Sequence, residues 1–89
     1  MHATHSLSTH RVHKVILALM DITQLFGEKV RSIRKEQQLS QDELADQCGL
    51  HRTYIGAVER GERNITLINA EKIANALQVS LSELVSRDD

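Results

Sequence analysis

The chain of 89 residues contains no proline, no tryptophan and only two aromatic residues, Phe26 and Tyr54. With so few aromatic rings, its core must consist mainly of aliphatic side chains. The alternation of polar and apolar residues that is typical of β-strands is not evident either. Together, these absences predict an all-α protein.

A single cysteine, Cys48, excludes an internal disulfide. Its neighbours Leu44 and Leu50 predict a small buried apolar residue in a reducing compartment, rather than an exposed redox-sensing thiol. Long hydrophobic runs are also lacking: the run at 15–20 is too short to cross a bilayer and is followed by Asp21, not by a cleavage site. We therefore expect a cytoplasmic protein that does not bind a membrane.

The formal net charge is −1, from 11 basic and 12 acidic side chains. A nucleic-acid ligand requires positive charge where its phosphates lie, not over the whole chain. Basic residues between Lys29 and Arg63 can gather on one face while Asp88 and Asp89 lie elsewhere. The net charge therefore does not exclude a nucleic-acid-binding protein.

The sequence predicts one small domain with an N-terminal arm. We place the arm at 1–22, the domain at 23–86 and a tail at 87–89. In the arm, apolar residues at 12, 15, 16 and 19 share one face of a predicted helix over 11–19, which either stands alone or continues into the next helix. The domain itself is predicted to contain five helices, at about 23–37, 41–48, 52–60, 67–77 and 81–85.

The middle of the chain carries the most informative pattern. Ser40 and Glu43 form a capping box, which opens a helix. Gly49 suits the left-handed conformation in which such a helix ends, and Ala45 is small enough for two helices to cross closely. A second apolar stripe begins at Ile55. This order and spacing are typical of a DNA-binding helix-turn-helix.

The second helix of this motif would turn its polar face towards DNA. Arg52 can donate two hydrogen bonds to a guanine, and Thr53 can bond a base or contact a thymine methyl group. Gly56 costs up to about 1 kcal/mol against alanine in a helix. Either a close approach to DNA offsets that cost, or the glycine is a mere irregularity. The predicted DNA-binding residues are Gln41, Arg52, Thr53, Tyr54, Gly56, Ala57, Arg60, Arg63 and Asn64.

The remaining predicted contacts lie at the margins of that face. Gln41 can hold a phosphate with its amide and the free N–H groups at the start of its helix. Tyr54 either places its hydroxyl on a phosphate or packs partly against the helix pair. Arg63 can reach a base or the minor groove, and Asn64 a phosphate.

Arg34 and Glu59 are predicted to serve the fold instead. Their placement suits an ion pair between the first domain helix and the helix at 52–60. We do not expect either residue to contact DNA.

Metal binding and catalysis are not predicted. His10 and His13 can share a helix face, but no further ligands complete a metal site, and a histidine-bearing arm is the better account. His51 is expected at the cap of the following helix. No nucleophile–base set, phosphate-binding glycine loop or paired carboxylates occur, so we expect neither an enzyme nor a cofactor.

These residues resemble the phage-repressor (Cro/repressor) helix-turn-helix family over about residues 26–85. More narrowly, the segment RTYIGAVERGERNIT resembles the controller proteins of bacterial restriction–modification systems. The resemblance implies a five-helix, lambda-repressor-like domain with the extra N-terminal segment. It also implies operator contacts by Arg52, Thr53, Tyr54 and Arg63, and phosphate contacts by Gln41 and Asn64.

The function expected from this resemblance is that of a homodimeric regulator on a near-palindromic operator. Controller proteins activate their own promoter and a neighbouring restriction gene at low occupancy and repress at higher occupancy. Asp42 or Glu43 is a candidate contact to RNA polymerase. The candidate dimer residues are Ile68, Leu81, Leu84 and Val85. Each of them could instead be buried in the core of the domain.

Other functions remain open at this stage. The chain also suits a prophage repressor, or an antitoxin in which the helix at 11–19 binds the toxin. A protein-interaction module that does not bind DNA is the alternative from a different class. For the arm, either Met20 is the biological start or the extra helix packs on a neighbouring subunit.

Overall fold

The computed structural model describes residues 12–87, and every regular element within that range is a helix. The predicted all-α class is confirmed, and each of the five predicted domain helices lies within one residue of its expected ends. The predictions for residues 1–11, including His10, and for 88–89 fall outside the described residues. The helices are α1 (12–19), α2 (Ile22–Glu36), α3 (Gln41–Cys48), α4 (Arg52–Glu59), α5 (Leu67–Leu77) and α6 (Leu81–Val85).

The predicted signals set the boundaries of α3. The Ser40 hydroxyl accepts from the Glu43 backbone N–H at 3.0 Å, and the Glu43 carboxylate accepts from the Ser40 N–H at 2.8 Å. The Ser40 N–H stabilises the charged carboxylate and so lowers the pKa of Glu43. Gly49 ends the helix with φ of +70°, in the left-handed region. The capping box and the glycine stop are therefore confirmed.

Two further caps fix the second half of the domain. Thr66 accepts from the Asn69 backbone N–H before α5, and Ser80 accepts from the Glu83 N–H before α6. Both hydroxyls satisfy donors that have no partner inside their own helix. The predicted starts of α5 and α6 are confirmed.

An aliphatic core joins all five domain helices. Helix α2 packs against α4 and α6, while α3 packs against α4 and α5. Leu84 of α6 is completely buried in this core. For Leu84, of the two alternatives given above, the structure supports core, because its side chain has no surface left for a partner. The core comprises Phe26, Val30, Leu44, Ala45, Cys48, Ile55, Val58, Ala70, Ile73, Ala74, Leu77 and Leu84.

Helix α1 is separate from α2, which starts at its own cap, Asp21. It docks through Leu17, which is 3% exposed, beside a cleft whose other wall belongs to α2. Arg87, assigned to the tail, contacts this helix: its guanidinium lies 2.5–3.4 Å from three carbonyl oxygens at the end of α1. The predicted stripe, Val12, Val15, Ile16 and Leu19, instead faces outwards and is 52–80% exposed. No helix in residues 12–87 is long and apolar enough to span a membrane.

Gly27 lies where α2 crosses α4 most closely. A β-carbon at this position would overlap the Val58 carbonyl oxygen and lie 2.8 Å from the Glu59 carbonyl oxygen. Because these are backbone atoms, they cannot move aside without shifting the helix. The glycine therefore fixes the distance between the two helices.

We expect Gly27→Ala to lower the free energy of unfolding by about 2–3 kcal/mol, as overpacking of a core does. Gly49→Ala is the matched control, since a β-carbon there meets nothing within 4 Å and only the left-handed backbone, with a cost of about 1–2 kcal/mol, opposes it. Urea denaturation of both variants measures the difference. Equal or smaller loss in Gly27→Ala would contradict the close contact.

Candidate nucleic-acid interface

A buried ion pair holds α4 against α2. Arg34 Nε lies 2.6 Å from Glu59 Oε2, and Arg34 Nη2 donates to Glu59 Oε1 at 3.0 Å. Arg34 Nη1 also donates to the Leu39 carbonyl oxygen at 2.7 Å, just before α3. The two charged side chains are 9% and 2% exposed. The predicted pair is confirmed, and it also anchors the turn that leads into the helix-turn-helix.

The opposite side of α4 is the polar face predicted to meet DNA. Ile55 and Val58 are buried in the core, so residues on the other side of the same helix turn outwards. A polar groove forms there between the start of α3 and the exposed side of α4. It brings together five of the predicted DNA-binding residues: Gln41, Arg52, Thr53, Gly56 and Arg60. Ala57 is half-buried beside them.

Both arginines of this groove lie beside acidic side chains. Arg52 Nε is 3.4 Å from Asp42 Oδ1, and Arg60 Nε is 3.0 Å from Glu62 Oε2. All four side chains are more than half exposed, so each pair is weak and easily exchanged for another ligand. Asp42 thus lies on the polar face of the helix pair, while Glu43, the other candidate for RNA polymerase, is bound in the capping box.

Gln41 is the first residue of α3 and is half-buried. Its amide nitrogen donates to Glu59 Oε1 at 3.0 Å, and this contact was not anticipated from the sequence. The amide also lies over Gly56, where a β-carbon would be 3.5 Å from Gln41 Oε1 and 3.2 Å from Arg60 Nη1. The missing side chain of Gly56 therefore leaves room for both polar groups.

Tyr54 lies at the edge of the helix pair. Its ring is half-buried against the core, and its hydroxyl accepts from Asn69 Nδ2 at 3.2 Å. The Arg63 guanidinium lies over the same ring, 5.4 Å from the centroid, within the range of a cation–π contact. Packing and polar bonding thus coexist at Tyr54. The role of Asn69 was missed, because a sequence gives no sign that α5 would bring it to the tyrosine.

Asn64 does not line the polar groove. It is exposed and borders an apolar groove between α2, α5 and α6 instead. The structure thus separates it from the other predicted DNA-binding residues, although it follows Arg63 directly.

The candidate metal and thiol positions have structural surroundings. Within the described residues, no three or more His, Cys, Asp or Glu side chains are placed to hold a metal ion. His51 is the N-cap residue of α4, as predicted. Cys48 is buried, and burial raises the pKa of its thiol, as expected for an apolar core residue.

Comparison with known proteins identifies relatives of this chain. The helix-turn-helix family profile matches residues 30–84. Control protein C.SmaI of Serratia marcescens is 49% identical over 71 residues, which cover 80% of this chain and 84% of that protein. Control protein C.BamHI of Bacillus amyloliquefaciens is 52% identical over 66 residues, covering 73% and 82% respectively.

A solved structure agrees with these sequence matches. The restriction–modification controller protein C.AhdI from Aeromonas hydrophila matches with a TM-score of 0.68 at 45% identity. The match covers 70% of this chain and 94% of that one. The resemblance inferred from the sequence motifs is therefore confirmed.

Gly56→Ala should separate stability from DNA binding. We expect the free energy of unfolding to rise by up to about 1 kcal/mol, because alanine is the better helix former. We expect DNA affinity to fall, because the added methyl group displaces the Arg60 guanidinium and fills part of the groove. Asn75→Ala, on the exposed side of α5, is the control for helix propensity alone. Unchanged DNA affinity in Gly56→Ala would make the glycine an irregularity without a role in binding.

Proposed function

Because the chain belongs to the helix-turn-helix family of DNA-binding transcriptional regulators, we propose that it acts as a restriction–modification controller protein. The relatives named as control proteins support this function. The observation that carries the proposal is the exposed polar face of α4, a helix whose opposite face is packed in the core and whose C-terminal end is held by the Arg34–Glu59 pair. A rigid helix with its polar side chains outwards suits the major groove of DNA.

In this proposal, α4 reads the bases. Arg52 exchanges Asp42 for the O6 and N7 acceptors of a guanine, and Thr53 bonds a neighbouring base or packs on a thymine methyl group. Gly56 is buried beneath the Gln41 amide and the Arg60 guanidinium, and its lack of a side chain lets both groups lie close to the α4 backbone. Ala57, which is small and half-buried, leaves room for a base edge beside them.

Residues around the groove bind the DNA backbone. Gln41 and Arg60, which flank Gly56, contact phosphates on one side. Arg63 leaves the Tyr54 ring to reach a base or the minor groove, and the tyrosine hydroxyl bonds a phosphate. Such contacts fix the register of α4 without reading sequence. Asn64 contacts a phosphate only if the 61–66 loop moves it away from the apolar groove.

We further propose that two copies bind as a homodimer. Ile68 is 70% exposed, Val85 is 38% exposed, and Leu81 borders the apolar groove between α2, α5 and α6. Exposed Leu67 and Ile22 line this groove as well, and Ile68 follows Leu67 directly in α5. Exposed apolar side chains around such a groove are typical of a protein interface. Two-fold symmetry then predicts a near-palindromic operator with half-sites about 34 Å apart.

Operator occupancy would set the regulatory outcome. At low occupancy the protein would activate its own promoter and a neighbouring restriction gene, and at higher occupancy it would repress them. Contact with RNA polymerase is assigned to Asp42 or Glu43. Asp42 lies beside Arg52, and the Glu43 carboxylate accepts from the Ser40 N–H, so both candidates remain.

One observation favours a second candidate, an antitoxin or another regulator that binds a protein through α1. The apolar stripe of α1 faces outwards although the helix is docked by Leu17 and Arg87. The same stripe would also suit packing on a neighbouring subunit. Co-purification with a distinct protein, lost on truncation at Met20, would favour the antitoxin.

Selection of bound sequences from random duplex DNA tests the reading of bases by α4. Wild type should enrich a palindromic motif, whereas Arg52→Ala should lose discrimination at the guanine, worth about 1–3 kcal/mol, and keep weak, salt-sensitive binding. Lys72→Ala removes the same charge from α5, outside the groove, and should keep the motif. If wild type enriches no motif at near-physiological salt, the proposed function is wrong.

Ile68→Asp tests the dimer. A buried unpaired carboxylate opposes association, so sedimentation equilibrium should show a monomer where wild type is a dimer. Affinity for a full palindrome should fall about a hundredfold or more, because the two half-sites then bind independently. Asn75→Asp adds the same charge at an exposed polar position of α5 and should leave the dimer intact. If the Ile68→Asp variant is still a dimer, the interface does not include Ile68.

A further inference from the structure

The Gln41 amide is held by a buried charge. Glu59 Oε1 accepts from Gln41 Nε2 at 3.0 Å and from Arg34 Nη2 at the same distance, while Glu59 Oε2 accepts from Arg34 Nε. The Glu59 side chain is only 2% exposed. One carboxylate therefore connects α2, the first residue of α3 and the end of α4.

This contact fixes which way the amide faces. An ionised carboxylate can only accept hydrogen bonds, so Gln41 must present its nitrogen to Glu59 and not its oxygen. The amide oxygen is then the nearer of the two amide atoms to Gly56, where a β-carbon would be 3.5 Å from Oε1 and 3.8 Å from Nε2. An –NH₂ group has two donors, and the bond to Glu59 uses one of them. The second donor remains for a ligand, next to the backbone N–H groups of Gln41 and Asp42, since the capping box bonds those of Ser40 and Glu43.

We propose that Glu59, neutralised by Arg34, is a positioning residue that holds the Gln41 amide ready for one DNA phosphate oxygen. The inference rests on the proposed function, in which this face binds DNA. An exposed glutamine loses its rotamer freedom when it binds a ligand, but here that freedom is already lost in the free protein. The ion pair therefore contributes to DNA affinity without contacting DNA.

The charge balance gives this inference a distinct signature. Gln41 is neutral, and Arg34 and Glu59 together carry no net charge. Removing the amide or its anchor should weaken binding to all sequences alike. The salt dependence should stay unchanged, because no basic contact is lost and no fewer counterions are released. Loss of a basic phosphate contact would instead reduce that dependence.

The decisive experiment is a double-mutant cycle between Gln41 and the ion pair. The variants are Gln41→Ala, the double variant Arg34→Met/Glu59→Met, and their combination, each titrated with operator and with non-specific duplex. Replacing both charges by apolar side chains of similar size commonly preserves a fold. We expect about tenfold weaker binding for the first two variants, and no further loss in the combination.

A control separates folding from binding. Gln37 does not line the polar groove, and its Nε2 donates to the carbonyl oxygen of Leu77, at the end of α5, at 2.7 Å. Gln37→Ala should lower stability but leave DNA affinity unchanged. If the double methionine variant binds like wild type, or if its effect multiplies with that of Gln41→Ala, the positioning role is wrong. Failure of wild type to prefer the operator would instead overturn the proposed function.

A second measurement needs no variant and holds even if the methionine pair does not fold. In the free protein, the side-chain ¹⁵N relaxation of the Gln41 –NH₂ group should match that of the rigid backbone. Gln47 lies on the same helix with an exposed side chain and is the reference for a freely moving amide. Equal mobility of the two amides would overturn the inference.

Discussion

The buried ion pair between Arg34 and Glu59 is the constraint on which the rest of the structure depends. Two charges removed from water are tolerated only when every polar atom finds a partner. Arg34 bonds both carboxylate oxygens and the Leu39 carbonyl, and Glu59 accepts in addition from Gln41. These bonds join α2, the turn before α3, the first residue of α3 and the end of α4 at a single buried site. The pair therefore links the helices of the helix-turn-helix through polar contacts, in addition to the apolar packing of the core.

Two glycines make that arrangement sterically possible. Gly27 lets α2 approach the backbone of α4 on the core side, close to the carbonyl oxygens that precede and include Glu59. Gly56 leaves space for Gln41 and Arg60 on the outer side. Glycine is less favourable than alanine inside a helix. At Gly27 this cost is offset by the close packing of two helices, and at Gly56 by the close packing of polar side chains on the helix backbone.

Local signals made most of the fold predictable, and long-range packing explains what was missed. Capping residues and Gly49 act within a few residues of the chain, so helix ends could be read directly. The Arg34–Glu59 pair could be predicted because the two residues have opposite charges and their placement on the first domain helix and the helix at 52–60 suits an ion pair. Leu84 could not be assigned to core or interface, because both are apolar. Likewise, Asn69 reaches Tyr54, and Arg87 reaches α1, only through the tertiary arrangement.

The acidic partners of the groove arginines reconcile a net charge of −1 with the proposed DNA-binding face. Asp42 and Glu62 offset Arg52 and Arg60 in the free protein, so this face attracts phosphates less strongly than two uncompensated arginines would. Exposed ion pairs contribute only about 0–1 kcal/mol and are readily exchanged. A bidentate bond to a correct base, at about 1–3 kcal/mol, exceeds that loss. Local charge compensation therefore weakens indiscriminate binding more than it weakens binding to a matching sequence.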